Sequence, residues 1–272
     1  MPISRNKYLP DINRLSLVAA TIMLAYLVGR FVNLPTQQIN AQLPGFYISF
    51  VLNIKSLIAV IVGLLATIGA DWMIQEHPSL QSRHTIEHWL LPALTTWVIG
   101  VPLYRLPIGS TWWFGFIAGS TLIMFVLVAE YIVVDRNDLR WAPAVIFINA
   151  ISFALLLTFA IFIHSNNLRL YLMLPSIALA VSLVSLRVTK LRSQGNWLPL
   201  PALVITLITS QIAGALHYLP LFPIQFGLIL LGVTYALITL SVGLPEKRAI
   251  SQIIIEPTII LVTICLLALW IH

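Results

Sequence analysis

Charged residues are what this chain has least of. Lys, Arg, Asp and Glu make up 9% of its 272 residues, against 59% hydrophobic. A water-soluble domain carries about 25% charged residues, so the composition excludes an ordinary soluble fold. Cysteine is nearly absent as well. The single Cys265 lies in an apolar run, which excludes an intramolecular disulfide and any cysteine-based zinc site. Glycine-rich phosphate loops, Walker motifs and dinucleotide fingerprints do not occur, so nucleotide chemistry has no support in the sequence. Low-complexity tracts and internal repeats are missing too. No connection between the apolar runs is long enough to hold a soluble domain of its own.

What the chain does have is a succession of apolar runs, each near the roughly 20 residues that cross a bilayer as helix. They predict an all-α, multi-pass transmembrane helical bundle of about nine spans, organised as one integral membrane domain over residues 1–272. The runs are Leu15–Leu34, Phe46–Ala70, His88–Leu106, Trp112–Val134, Trp141–Ile163, Leu170–Leu186, Leu198–His217, Phe222–Gly243 and Ile253–Ile271. Prolines such as Pro35, Pro44, Pro107, Pro199, Pro220, Pro223 and Pro245 mark the ends, where a residue without an N–H does least damage. Trp72, Trp89, Trp112, Trp141, Trp197 and Trp270 also fall near the ends, as in an interfacial aromatic belt. The first run has a basic start, a long apolar stretch and no close small-residue cleavage site. It reads as a retained anchor rather than a cleaved signal.

The basic residues orient the bundle. Arg5, Lys7, Arg14, Arg83, Arg136, Arg140, Arg187, Lys190, Arg192, Lys247 and Arg248 fall on one side of a nine-span threading. Only Arg30, Arg105 and Arg169 fall on the other, with Lys55 inside the second run. By the positive-inside rule this bias predicts a cytoplasmic N-terminus and an external C-terminus. It also accounts for the net charge of +6 without nucleic acid as a partner. The expected surroundings are membrane lipids and partner proteins within a cell membrane, the inner membrane if the cell is bacterial.

All nine carboxylates fall on the side of the basic residues: Asp11, Asp71, Glu76, Glu87, Glu130, Asp135, Asp138, Glu246 and Glu256. Acid–base, metal or cation chemistry is therefore expected at the cytoplasmic face. The densest segment is Asp71 to His88, which also holds Glu76, His77, Arg83, His84 and Glu87. Within it, His84-Thr85-Ile86-Glu87-His88 fits H-x-x-E-H. If the third helix starts near residue 84, His84 and His88 lie one turn apart on one face. That spacing suits two imidazole ligands for one Zn²⁺ or iron, with Glu87 as base or third ligand. The motif also occurs in inverted zinc peptidases, soluble enzymes that nothing else in this chain resembles. The plain alternative is an interfacial loop whose His and Glu side chains meet headgroups and Arg83.

Glu130 sits about 6 Å inside the cytoplasmic end of the fourth run, at 1.5 Å per residue. Ionisable groups at such depth usually face the bundle interior with a partner. The candidates are the His84/His88 pair, which would make Glu130 a catalytic carboxylate beside Glu87, or Arg136 and Arg140. Glu256 has a similar position in the ninth run. Lys55 has no carboxylate at its depth and is expected to snorkel outward. Gly115 and Gly119 form G-x-x-x-G, a close-packing signal.

Three function classes fit these features. A non-catalytic membrane subunit or scaffold suits the short connections and the scarcity of buried polar residues. A metal-dependent or acid–base enzyme, acting on a lipid or prenyl substrate at the cytoplasmic face, would rest on His84, Glu87 and His88. A transporter is the third, disfavoured by the lack of midplane carboxylates.

Overall fold

The computed structural model describes residues 10–31, 37–43, 46–52, 54–80, 85–193, 195–244 and 250–271. Among these, nine helices carry the architecture, as the succession of apolar runs predicts. They are α1 (Ile12–Phe31), α2 (Ile54–Ile74), α3 (Leu90–Arg105), α4 (Ser110–Val133), α5 (Trp141–Ser165), α6 (Leu170–Arg192), α7 (Pro199–His217), α8 (Pro223–Gly243) and α9 (Ile250–Trp270). A short 3-10 turn, Ile86–His88, precedes α3.

One element departs from the expected helix. Phe46–Leu52, the start of the predicted second span, is a strand (β2) paired antiparallel with β1 (Gln37–Leu43), in a register that sets Leu43 opposite Phe46. Only Pro44 and Gly45 separate the strands in sequence. The physical reason lies in residue types. Phe46-Tyr47-Ile48-Ser49-Phe50-Val51 is rich in aromatic and β-branched residues. Gln38-Ile39-Asn40-Ala41-Gln42-Leu43 alternates polar and apolar with the period of a strand. A two-residue gap containing glycine is a hairpin signal. The second helix therefore runs Ile54–Ile74 rather than Phe46–Ala70.

Among the described residues, seven helices are long and apolar enough to cross a membrane: α1 and α4 to α8 over their full lengths, and α9 over Ile253–Trp270. The α2 helix has 21 residues and α3 has 16. Side chains such as Phe114, Ile117 and Phe125 of α4, Leu203 and Leu207 of α7, and Ile259 and Leu266 of α9 are exposed along the helices. Apolar surface of that extent is unfavourable in water and ordinary against lipid.

By internal packing the chain divides into two compact units, Met1–Trp141 and Ala142–His272. In the first, α1 packs on α2 and α4, and α3 packs between α2 and α4. The core is formed by Val18, Ile22 and Tyr26 of α1, Val62, Ala66 and Met73 of α2, Ile99 of α3, and Ile123 and Leu127 of α4. Gly119 lets α3 approach α4 closely, since a Cβ there would lie 2.6 Å from Ile99 Cγ2. The G-x-x-x-G of α4 thus serves packing inside this unit. At one end Arg30 donates to the carbonyls of Tyr104 and Leu106, both at 2.7 Å. This satisfies acceptors at the end of α3 that its own backbone leaves open.

In the second unit α6 pairs with α7 and α8 with α9, while α8 also contacts α6 and α7. The α5 helix reaches α8 through Leu157 and Ile161, which lie against Gly227. His164 lies 3.0 Å from the Leu221 carbonyl and stacks on Phe226. Gln225 donates to the Ile271 carbonyl at 2.8 Å, tying the start of α8 to the end of α9.

Candidate functional site at the polar end of the first unit

The carboxylates of the first unit gather at one end of its helices. Asp71, at the end of α2, accepts hydrogen bonds from Gln75 Nε2 at 2.6 Å, from Trp89 Nε1 at 3.1 Å and from the Thr85 hydroxyl. These bonds pin the entry to the 3-10 turn against α2. Glu76 pairs with Arg14 of α1, whose guanidinium also lies 4.3 Å from the Trp72 ring. Ser79 donates to Asp135 at 3.1 Å, joining the α2–α3 connection to the turn after α4.

Within this frame the 3-10 turn places His88 against the last turns of α4. His88 Nδ1 lies 2.7 Å from Glu130 Oε2, and His88 Nε2 lies 3.2 Å from Glu87 Oε1. The shorter contact has the length of a charge-assisted hydrogen bond. Exposure falls along the series: 21% for the Glu87 side chain, 4% for His88 and 0% for Glu130. A buried carboxylate is costly without a donor. Glu130 also sits where the α4 macrodipole is negative. An imidazole that donates a proton to it, or carries a full positive charge, relieves both effects.

His77 is a second buried histidine of this end. Its Nδ1 accepts the Ser79 backbone N–H at 3.1 Å, so the neutral ring carries its hydrogen on Nε2. The ring packs on Tyr131 at 4.5 Å between centroids. Burial lowers its pKa below 6.5. Asp135 pulls it back up, His88 pushes it down again, and Asp138 adds a smaller upward pull.

The structure brings together Glu87, His88 and Glu130, three of the four residues singled out in the sequence. His84 lies outside the described residues, as do Arg83 and the Lys55 side chain. The third helix does not start near residue 84, the condition on which the one-turn spacing of His84 and His88 rests. Thr85 lies outside any helix, the turn begins at Ile86 and α3 begins only at Leu90. Pro92 falls in the first turn of α3, where its missing N–H costs no helical hydrogen bond. Among the described residues no three His, Cys, Asp or Glu side chains converge as a metal site. Arg140, a candidate partner for Glu130, forms an ion pair with Asp138 at 3.0 Å. That bond holds the Asp138 carboxyl below its ordinary pKa. Glu256 is exposed on α9. Sequence reasoning gave no role to His77 or Asp71, whose partners are brought to them by folding.

Helix lengths, lipid-like exposed faces and a polar cluster confined to one end define the class: a multi-pass helical membrane protein. Residues 34–271 match the family described as "Protein of unknown function (DUF5656)", and the chain belongs to that family. No curated protein and no solved structure matches it.

Proposed function

We propose that this membrane protein carries an acid–base centre at the cytoplasmic face of its first unit. Glu87 exchanges a proton with the aqueous side, His88 passes it on, and Glu130 receives it inside the fold. The observation that carries this reading is the continuous series from a partly exposed carboxylate through a buried imidazole to a fully buried carboxylate. A metal ligand needs a ring nitrogen with its lone pair directed at the ion. Here both nitrogens of His88 face carboxylate oxygens, which supports proton transfer over ligation of Zn²⁺ or iron. A centre at the end of apolar helices would meet a lipid or prenyl compound as its class of substrate.

A second reading has its own support. The same hydrogen bonds latch the α2–α3 connection to α4, as a non-catalytic membrane subunit would require of a structural cluster. Ring-nitrogen NMR of histidine-labelled protein separates the two, with His88→Gln used for assignment. The acid–base reading expects the His88 ring to change protonation between about pH 5 and pH 8. That change should be altered in Glu130→Gln while the protein stays folded. A ring that keeps one protonation state throughout, with both variants only lowering the melting temperature, overturns it in favour of the subunit.

A further inference from the structure

Ser79 ties two connections together at the polar end of the first unit. Its backbone N–H donates to His77 Nδ1 at 3.1 Å, and its hydroxyl donates to Asp135 Oδ2 at 3.1 Å. One residue is thus held from both sides, by an imidazole that follows α2 and by a carboxylate that follows α4. Asp135 Oδ1 accepts the Asn137 backbone N–H at 2.9 Å, which fixes that carboxylate in its turn. The Leu80 N–H donates to the His77 carbonyl at 3.1 Å, so residues 77–80 fold closely around the ring. The ring itself is buried and lies against Tyr131 of α4.

This bonding is compatible with only one protonation state of His77. A neutral imidazole has a single acceptor nitrogen, and here Ser79 occupies it. The nitrogen that must take a second proton is therefore Nδ1. Imidazolium donates from both nitrogens, so no rotation of the ring gives the Ser79 N–H its acceptor back. The groups facing the ring decide where a charged His77 turns. Asp135 and Asp138, from the turn after α4, attract a charge there, and His88, from the 3-10 turn, repels one. Tyr131 presents a neutral phenol ring. Asp138 is already paired with Arg140 at 3.0 Å. Asp135 acts on His77 the more strongly of the two carboxylates, and its Oδ2 is the oxygen that holds the Ser79 hydroxyl. Protonation thus breaks one bond of Ser79 and competes for the other.

We propose that His77, Ser79 and Asp135 form an acid-released latch, which holds the α2–α3 connection to the turn after α4 while His77 is neutral and frees it when the ring is protonated. A part-buried N–H that loses its acceptor is costly to leave in place, so the segment moves to find water. Burial keeps the His77 pKa below 6.5, which puts release on the acidic side of neutrality. The latch needs no proton transfer at His88, so it and the acid–base centre stand or fall separately.

The test is amide hydrogen exchange of the full-length protein in detergent, read at the Ser79 and Leu80 N–H groups at about pH 7.5 and about pH 5. Variants are compared with wild type at the same pH, which removes the intrinsic pH dependence of exchange. At the higher pH, wild type and His77→Asn should protect Ser79 alike, because each offers an acceptor. At the lower pH, wild type should exchange Ser79 at least about fivefold faster than His77→Asn, which cannot titrate. The Gln75 N–H, bonded to the Asp71 carbonyl at 2.9 Å, should be unaffected. Asp135→Asn removes the charge that draws the ring, so release should need a lower pH. That variant carries the comparison if His77→Asn does not fold. Ring-nitrogen NMR of histidine-labelled protein places the His77 proton in the same samples. The latch is overturned if the ring stays neutral at about pH 5, or if it takes its proton while Ser79 remains protected. It is equally overturned if His77→Asn loses protection in step with wild type, or if Asp135→Asn releases at the wild-type pH.

Discussion

His77 and His88 are both buried at the same end of one unit, yet their partners give them different work. His88 faces two carboxylates, whereas His77 accepts a backbone N–H and lies against an aromatic ring. Its lowered pKa has a definite consequence for stability. The unfolded chain gains a proton at His77 as pH falls through about 6.5, and the folded chain gains it only at lower pH. Between those values the unfolded state binds more protons, so stability rises with pH there; below the folded value the loss is constant. Thermal unfolding should therefore show a melting temperature that falls on going from about pH 8 to about pH 5. His77→Asn offers an amide oxygen to the Ser79 N–H and cannot titrate, so that part of the slope should vanish. An identical slope in wild type and variant would show that His77 is not its source. Asp138 works in the opposite sense: its pairing with Arg140 stabilises the fold above the ordinary carboxylate range, and that contribution is lost as pH falls through its lowered value. Of these residues, Glu87, His88 and Glu130 could be picked out in the sequence by burial depth and by the density of ionisable groups. His77 and Asp71 could not, because Tyr131, Ser79, Thr85 and Trp89 acquire their meaning as partners only when the chain has folded.

At the scale of elements, the apolar runs translate into helices almost one for one. Helix formation needs only local hydrogen bonds, and in an apolar medium every backbone group must be satisfied within the segment. The hairpin was harder to foresee, since its second strand is as apolar as a helix and its identity depends on a partner. The signals were nevertheless present: alternation in β1, aromatic and β-branched residues in β2, and Pro44-Gly45 between them. The α3–α4 contact provides a packing test. Gly119→Ala would set a methyl group 2.6 Å from Ile99 Cγ2, and should destabilise the first unit by about 1–3 kcal/mol. Ile99→Ala in the same chain removes the clashing group, so the double variant should lose less than the sum of the single losses. Additive losses, measured by denaturant or thermal unfolding, would mean that the two helices do not meet there.

For the whole molecule, the distribution of charge makes the sharpest statement. Eleven Lys and Arg against three, with every carboxylate on the richer side, predicts a cytoplasmic N-terminus and an external C-terminus. Cysteine-labelling or reporter fusions at positions 38, 167 and 272 should all report the external side. A cytoplasmic result at 272 would break this topology. The sequence by itself determined the helical membrane class and the approximate place of each helix. These follow from composition and from interactions within single segments, which act whatever the neighbouring segments do. Tertiary structure alone decided that His88 meets Glu130, 42 residues away along the chain, and that Asp71 holds the turn before α3. It also decided that Arg192 turns to Thr239 and Tyr235. Such pairings depend on which helix faces lie against one another. That choice is made by side-chain packing between distant segments, and no local pattern in the chain encodes it.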